Sequence, residues 1–281
     1  MIKIGANVSA SGGLYKAFEN AKNIGADAIQ LFGSSPQQWS VRLPKEEDIT
    51  KFKDAHKASG NIPVFLHASY LANLASVSEI TRANALQSLT GHLKIAELIG
   101  AQGLIFHIGS GKDQSKEEAI KRVVEGGKKI LKNVPGDAQL ILENSSAGGV
   151  KLGSTPEEIG EILKKIDSPR AKVCFDTAHA FEAGVIQYDS PGEIKKTFDI
   201  WNREVGLKNI VAIHANDSKT EFGSHNDRHE NIGEGYIGLE GFKNLAKEKR
   251  LHDKPWILEV PGFEKTGLDK KNIEILKSCF K

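Results

Sequence analysis

The chain lacks the features that mark several large classes of protein. Cysteine occurs twice in 281 residues, at Cys174 and Cys279, which excludes a disulfide-stapled scaffold and a cysteine-rich zinc site. Cys174 lies in an apolar run and is expected to be a buried thiol. No stretch reaches 18 apolar residues, so no transmembrane helix and no membrane partner are expected. The opening MIKIGANVSASGG starts directly on a strand pattern without a leader-like segment, and a cytoplasmic protein is expected. Excess charge is also missing. Lys and Arg number 38 against 36 Asp and Glu, a net +2. Any nucleic-acid binding must therefore use a local basic surface or bound cations rather than bulk attraction. Ser9–Gly13 does not fit a glycine-rich dinucleotide fingerprint. No Ser or Cys motif supplies a protein nucleophile, and there is no low-complexity segment or interdomain linker.

What is present is an alternation. Eight short apolar runs, Ile2–Val8, Ala28–Phe32, Pro63–His67, Gly103–His107, Gln139–Glu143, Ala171–Asp176, Asn209–His214 and Pro255–Glu259, have strand length and β-branched or aromatic content. Amphipathic stretches such as Thr81–Ile99 and Ser115–Leu131 separate them. Thr155-Pro156 and Ser190-Pro191 read as helix starts, with Pro at the first helical position. Eight β-then-α units in this length predict a single (β/α)8 TIM barrel spanning residues 1–281, with a doubly wound open sheet as the alternative.

Six consecutive runs end in a metal-ligand residue type: His67, His107, Glu143, Asp176, His214 and Glu259. One such residue alone means little, because a strand-end His is more often a hydrogen-bonded core or loop residue. Six in succession, one βα unit apart, are different. In a parallel barrel the C-terminal strand ends converge on one mouth, where active sites are built. Acids and imidazoles gathered there are costly unless paired or bound to cations. His179 follows Asp176 by three. Asp227 and His229 lie in the polar stretch after His214, spaced two apart so that an extended loop can bring both to one ion. Nine nitrogen and oxygen donors exceed the four that one zinc takes and suit two or three ions. Multi-metal sites of this kind suit phosphoryl chemistry.

The stretches FLHASYLANL, LILEN, FDTAHAFEAG, HANDSK, DRHENIGEGYIG and ILEVP resemble the endonuclease IV family of zinc-dependent apurinic/apyrimidinic endonucleases along the whole chain. The resemblance implies a TIM barrel with three Zn2+ ions. His67, His107 and Glu143 would hold the first. Glu143 would bridge to a second held by Asp176, His214 and Glu259, making it the catalytic carboxylate. His179, Asp227 and His229 would hold the third. It also implies hydrolysis of the phosphodiester 5′ to an abasic site, leaving a 3′-hydroxyl and a 5′-deoxyribose phosphate, and removal of 3′-blocking groups. The partner implied is double-stranded DNA carrying such damage, bound by a monomer.

The same resemblance makes Tyr70 and Leu71 wedges that enter the DNA, and makes Gly33–Trp39 a DNA-contacting loop. Some members carry Arg just before Gln-Trp in that loop. This chain has Gln37, which can hydrogen-bond but brings no charge. Arg228 and Lys219 are candidate phosphate contacts. His56, His92 and His252 are expected at the surface. Two other functions compete: a xylose-isomerase-like sugar isomerase or epimerase, for which three extra ligands have no task, and a non-catalytic DNA-binding protein with structural metal.

Overall fold

The structure is a computed structural model that describes residues 2–265 and 267–281. Strands β1 (Ile4–Asn7), β2 (Ile29–Phe32), β3 (Val64–His67), β4 (Gly103–His107), β5 (Gln139–Glu143), β6 (Ala171–Asp176) and β7 (Ile210–His214) are followed by β8 (Asp217–Ser218), β9 (His229–Glu230) and β10 (Trp256–Leu258). The first seven strands and β10 form a closed parallel barrel in chain order, shut by the register Ile4↔Trp256. This is the (β/α)8 architecture that the alternation predicts, and barrel closure excludes the open sheet. Each barrel strand lies within two residues of its apolar run at either end, and β4, β5 and β6 coincide with theirs.

The helices are α1 (Lys16–Ile24), α2 (Glu46–Ala58), α3 (Glu79–Ile99), α4 (Lys116–Asn133), α5 (Pro156–Ile166), α6 (Thr177–Glu182), α7 (Pro191–Glu204), α8 (Gly238–Leu245) and α9 (Lys270–Ser278). Their starts follow the sequence signals. Ser115 and Glu118 form a capping box at α4, and Thr155 and Ser190 cap α5 and α7 ahead of Pro156 and Pro191. No helix among the described residues is long and apolar enough to cross a membrane.

Strand parity positions the site. Outward residues such as Val64, Leu66, Leu104, Phe106, Leu140 and Leu142 pack into the large core beneath the helices. Inward residues Phe65, Ile105, Ile141, Cys174, Ala212 and Ile257 form a separate apolar plug inside the barrel. Side chains alternate with period two along a strand. The residue two positions beyond each plug residue is therefore brought back to the barrel axis, one layer higher. Those six residues are His67, His107, Glu143, Asp176, His214 and Glu259.

The surface expectation for His56, His92 and His252 needs correction. His92 is 1% exposed on α3. Its Nδ1 bonds the Ser88 carbonyl, and its Nε2 lies 2.8 Å from the Ser34 hydroxyl, tying α3 to the loop after β2. It falls on the same helical face as Leu89 and Ala96, which a count of apolar residues alone does not reveal. His56 and His252 are half-buried, with ring nitrogens on the carbonyls of Ile62 and Ala246.

Candidate metal centre

The nine expected donors gather at the C-terminal mouth of the barrel. Glu143 is at the centre and is buried. Its Oε2 lies 3.1 Å from His67 Nε2 and 3.5 Å from His107 Nδ1, and its Oε1 lies 2.8 Å from His214 Nδ1. His214 Nδ1 is also 3.3 Å from Glu259 Oε2 and 3.7 Å from Asp176 Oδ2. Asp176 Oδ2 in turn lies 3.8 Å from His229 Nε2. His179 Nε2 is 3.2 Å from Asp227 Oδ1, and His229 Nε2 is 3.9 Å from the same oxygen.

Three groups of side chains converge closely enough to grip an ion: His67, His107 and Glu143; Glu143, Asp176, His214 and Glu259; and Asp176, His179 and His229. The first two match the expected sets. In the third, Asp176 takes the place expected for Asp227. Asp227 stands beside both histidines but turns its second oxygen 3.3 Å from Lys151 Nζ.

Local structure explains the placement. Asp176 ends β6 and caps α6, a short helix the alternation did not predict, by accepting from His179 N–H at 2.8 Å. That cap sets His179 in the first turn, directly above the strand. The expected polar loop after His214 is instead a ribbon, β8 paired with β9, with Ser218 opposite His229. Buried Asp217 accepts backbone N–H groups of Gly233, Gly235 and Ile237 and anchors the segment after β9. A Cβ on Gly235 would meet the Ser218 carbonyl at 2.3 Å, so only glycine allows this approach. Buried Glu182 accepts from Ser218 Oγ and Arg228 N–H, joining α6 to the ribbon. Burial pushes its carboxyl up to about 7.

Hydrogen bonds on the far side of the rings aim the free nitrogens. His67 Nδ1 donates to Ala68 O at 2.9 Å and His179 Nδ1 to Asn144 O at 2.8 Å, leaving each Nε2 toward the carboxylates. Gln30 is a residue that sequence reasoning missed. Its Oε1 accepts from His214 Nε2 at 2.7 Å, and its Nε2 donates to Glu259 Oε1 at 2.5 Å, so one amide orients two ring members. The available signal was a polar residue in the otherwise apolar run Ala28–Phe32. Asn216 serves similarly, donating to Asp176 Oδ2 and accepting from Glu259 N–H.

The electrostatics of these side chains follow from this geometry. Burial draws the His179 and His214 imidazoles down, but Asp176 and Asp227 beside His179, and Cys174, Glu259 and Glu143 beside His214, outweigh it and leave both well above their ordinary value. Burial opposes ionisation of Glu143, yet the surrounding histidines hold it well below the usual carboxylate range. Beneath the cluster, burial pushes the Cys174 thiol up to about 12, so it stays protonated.

A cavity of 390 Å³ opens over the donors, with Tyr70 and Arg228 on its walls. Tyr70 is 61% exposed and meets Phe32 edge-on at 5.5 Å. Leu71, Gln37 and Lys219 are exposed outside that cavity, Lys219 lying 3.9 Å from Glu230. A larger cleft of 770 Å³ runs between the loops after β1 and β2, with Arg42 and Lys45 on its walls. It holds none of the nine donors, so the chemistry belongs to the smaller cavity.

Barrel and donor cluster together define a xylose isomerase-like TIM barrel, and the chain matches that family over residues 18–279. It is 36% identical over 279 residues to a probable endonuclease 4 from Halothermothrix orenii, covering 98% of this chain and 99% of that protein. The crystal structure of endonuclease IV from Thermus thermophilus has a TM-score of 0.86 at 33% identity, covering 99% of this chain and 98% of that one. Within the barrel superfamily, the chain thus belongs to the endonuclease 4 family. A D-tagatose 3-epimerase-like protein, with a TM-score of 0.72 at 22% identity over 99% of this chain and 97% of that one, shares the fold alone.

Proposed function

We propose that the chain is a cytoplasmic, monomeric DNA-repair endonuclease that hydrolyses the phosphodiester 5′ to an abasic site and trims blocked 3′ ends, using three zinc ions. One observation carries this reading. Glu143 directs one oxygen to His67 and His107 and the other to His214, so a single buried carboxylate serves two donor groups, with a third alongside.

The residues fit such ions. Every donor is an imidazole or a carboxylate. The Nε2 atoms of His179 and His229 are buried and make no well-aligned hydrogen bond, with Asp227 Oδ1 lying 3.2 and 3.9 Å away, an arrangement that suits a ligand held between them. His67, His107 and Glu143 would hold one ion, and Glu143, Asp176, His214 and Glu259 a second. His179, His229 and Asp227 would hold the third, with Asp176 at its border. When bound, such ions supply Lewis-acid stabilisation of phosphoryl oxygens and lower the pKa of water. The chain's own residues orient that chemistry. Gln30 and Asn216 fix the carboxylates, and the plug beneath keeps the floor dry. Arg228 at the mouth, with Lys219 and Gln37 on the rim, would contact the DNA backbone. Tyr70 and Leu71 would act as wedges that fill the gap left by an extruded nucleotide. A sugar isomerase needs no third donor group, and the epimerase-like neighbour gives no support beyond the barrel.

The test is incision of a duplex with one central abasic site, with and without chelation, alongside a metal count. Cleavage 5′ to the lesion leaving a 3′-hydroxyl, lost on chelation, with about three zincs per chain, is the expected result. No incision by fully loaded protein would overturn the reading and turn attention to ketose–aldose substrates.

Tyr70→Ala is expected to raise KM for the abasic duplex about tenfold, in line with ~1–3 kcal/mol for an aromatic–base contact. The metal content should not change. Loss of zinc in that variant would contradict the wedge assignment.

A further inference from the structure

Beside the mouth lies an annex of 280 Å³ that shares Tyr70, His107 and Asp227 with it and adds Asn73, Ser145 and Lys151. We propose that Lys151 and Ser145 hold a second phosphate of the bound DNA strand in this annex, next to the one presented to the metal centre. The proposal rests on the reading of the chain as a DNA endonuclease.

Two independent observations point to a ligand. Ser145 lines the annex and is 6% exposed, and its hydroxyl is buried without a hydrogen-bond partner. A hydroxyl left so is expected to meet a ligand or water. Lys151 supplies the annex with its only cationic side chain among the described residues. Its backbone is fixed, because Lys151 bridges Ser110, Gly111 N–H donates to Val150 O, and Leu152 N–H donates to Gly109 O. The loop after β5 is thus knitted to the loop after β4, and the ammonium is delivered to a set place rather than left on a free loop.

Pairing with Asp227 does not account for Lys151 fully. Asp227 Oδ1 faces His179 and His229, and only Oδ2 faces Lys151, at 3.3 Å. The other short contact of the ammonium is the Ser146 hydroxyl, also at 3.3 Å. An ammonium has three donors, and one remains for an anion. The annex is smaller than the ~300–1,000 Å³ of drug-sized sites, a size that suits one sugar-phosphate unit and not a base pair.

The test is the salt dependence of incision by the zinc-loaded enzyme between about 50 and 200 mM salt. Lys151→Met should raise KM about tenfold and lower the slope of log KM against log salt by about one, the signature of one lost phosphate contact. Its kcat should fall less than KM rises, with the zinc count unchanged. Lys151→Arg should restore the slope. Ser145→Ala should raise KM about threefold at the wild-type slope, since it removes a hydrogen bond and no charge. Should Lys151→Met fail to fold, Lys151→Gln carries the same expectation. A neutral variant with wild-type KM and slope overturns the proposal. So does one that loses zinc in step with activity, which would assign Lys151 to Asp227 alone. Failure of the wild-type enzyme to cut the abasic duplex would instead overturn the functional reading.

Discussion

Glu143→Gln should lower incision of an abasic duplex about a thousandfold, roughly 4 kcal/mol of transition-state stabilisation, while leaving the dissociation constant for DNA within about threefold. The size of the effect follows from the position of the carboxylate. Glutamine preserves shape but replaces one oxygen with an N–H2 that cannot accept. Whichever way the amide turns, it either faces His214 Nδ1, now 2.8 Å from Oε1, or faces the His67–His107 pair across 3.1 and 3.5 Å. One donor group loses its shared member in each case. In the proposed reading DNA binding would draw on Tyr70, Leu71, Arg228 and other rim residues that Glu143 does not touch, so affinity and turnover should separate. Single-turnover incision and a binding titration on the same preparation measure both. Near-normal turnover would count heavily against the bridging role.

The second large effect concerns pH. In the metal-free chain the neighbouring acids keep the imidazoles of His67, His179 and His214 above their ordinary 6.5 against the pull of burial. The histidines in turn keep Glu143 and Glu259 below 4.5 and Asp227 below 3.8. A raised imidazole stabilises the fold below its unfolded value, and that contribution is lost as pH rises through the raised value. A lowered carboxyl stabilises the fold above its unfolded value, and that contribution is lost as pH falls through the lowered one. The metal-free protein therefore has its full internal pairing between about pH 4.5 and 6.5 and loses part of it on the alkaline side. Ion binding needs neutral imidazoles, so it strengthens over that same alkaline interval. The gap in Tm between zinc-loaded and chelated protein should widen from about pH 6 to pH 8. Loading near neutrality should release about two to three protons per chain, measurable by calorimetry in buffers of differing ionisation enthalpy. A gap that narrows with rising pH would contradict the assignment of these histidines as ligands.

The barrel and its donors were legible because both rest on strand periodicity. A plug residue, one intervening residue and a candidate ligand recur in Phe65–His67, Ile105–His107, Ile141–Glu143, Cys174–Asp176, Ala212–His214 and Ile257–Glu259. Parity survives errors of a residue or two at strand ends, which is why misjudging the start of β1 or the end of β10 cost nothing. What escaped depends on contacts between distant segments. Gln30 meets His214 across 184 positions and Lys151 meets Asp227 across 76, and no local pattern announces either pair. The helix α6 and the ribbon of β8 and β9 escaped because their stability comes from buried Glu182 and Asp217 capturing backbone and hydroxyl donors, not from an apolar rhythm. His92 escaped because an imidazole counts as polar in any periodicity, although in place it belongs to the buried face.

The cysteine nearest the candidate metal centre, Cys174, lies below it in the plug, fully buried and held as a neutral thiol. A thiol in that state is a poor target for peroxide, because reactivity follows thiolate character and access. The donors above it are nitrogen and oxygen atoms, which have no sulfenic or sulfinic states to pass through. Oxidising stress damages many cysteine-bound metal sites by converting their ligands. None of the nine candidate donors in this barrel is a sulfur, so that route of damage has no ligand to convert here.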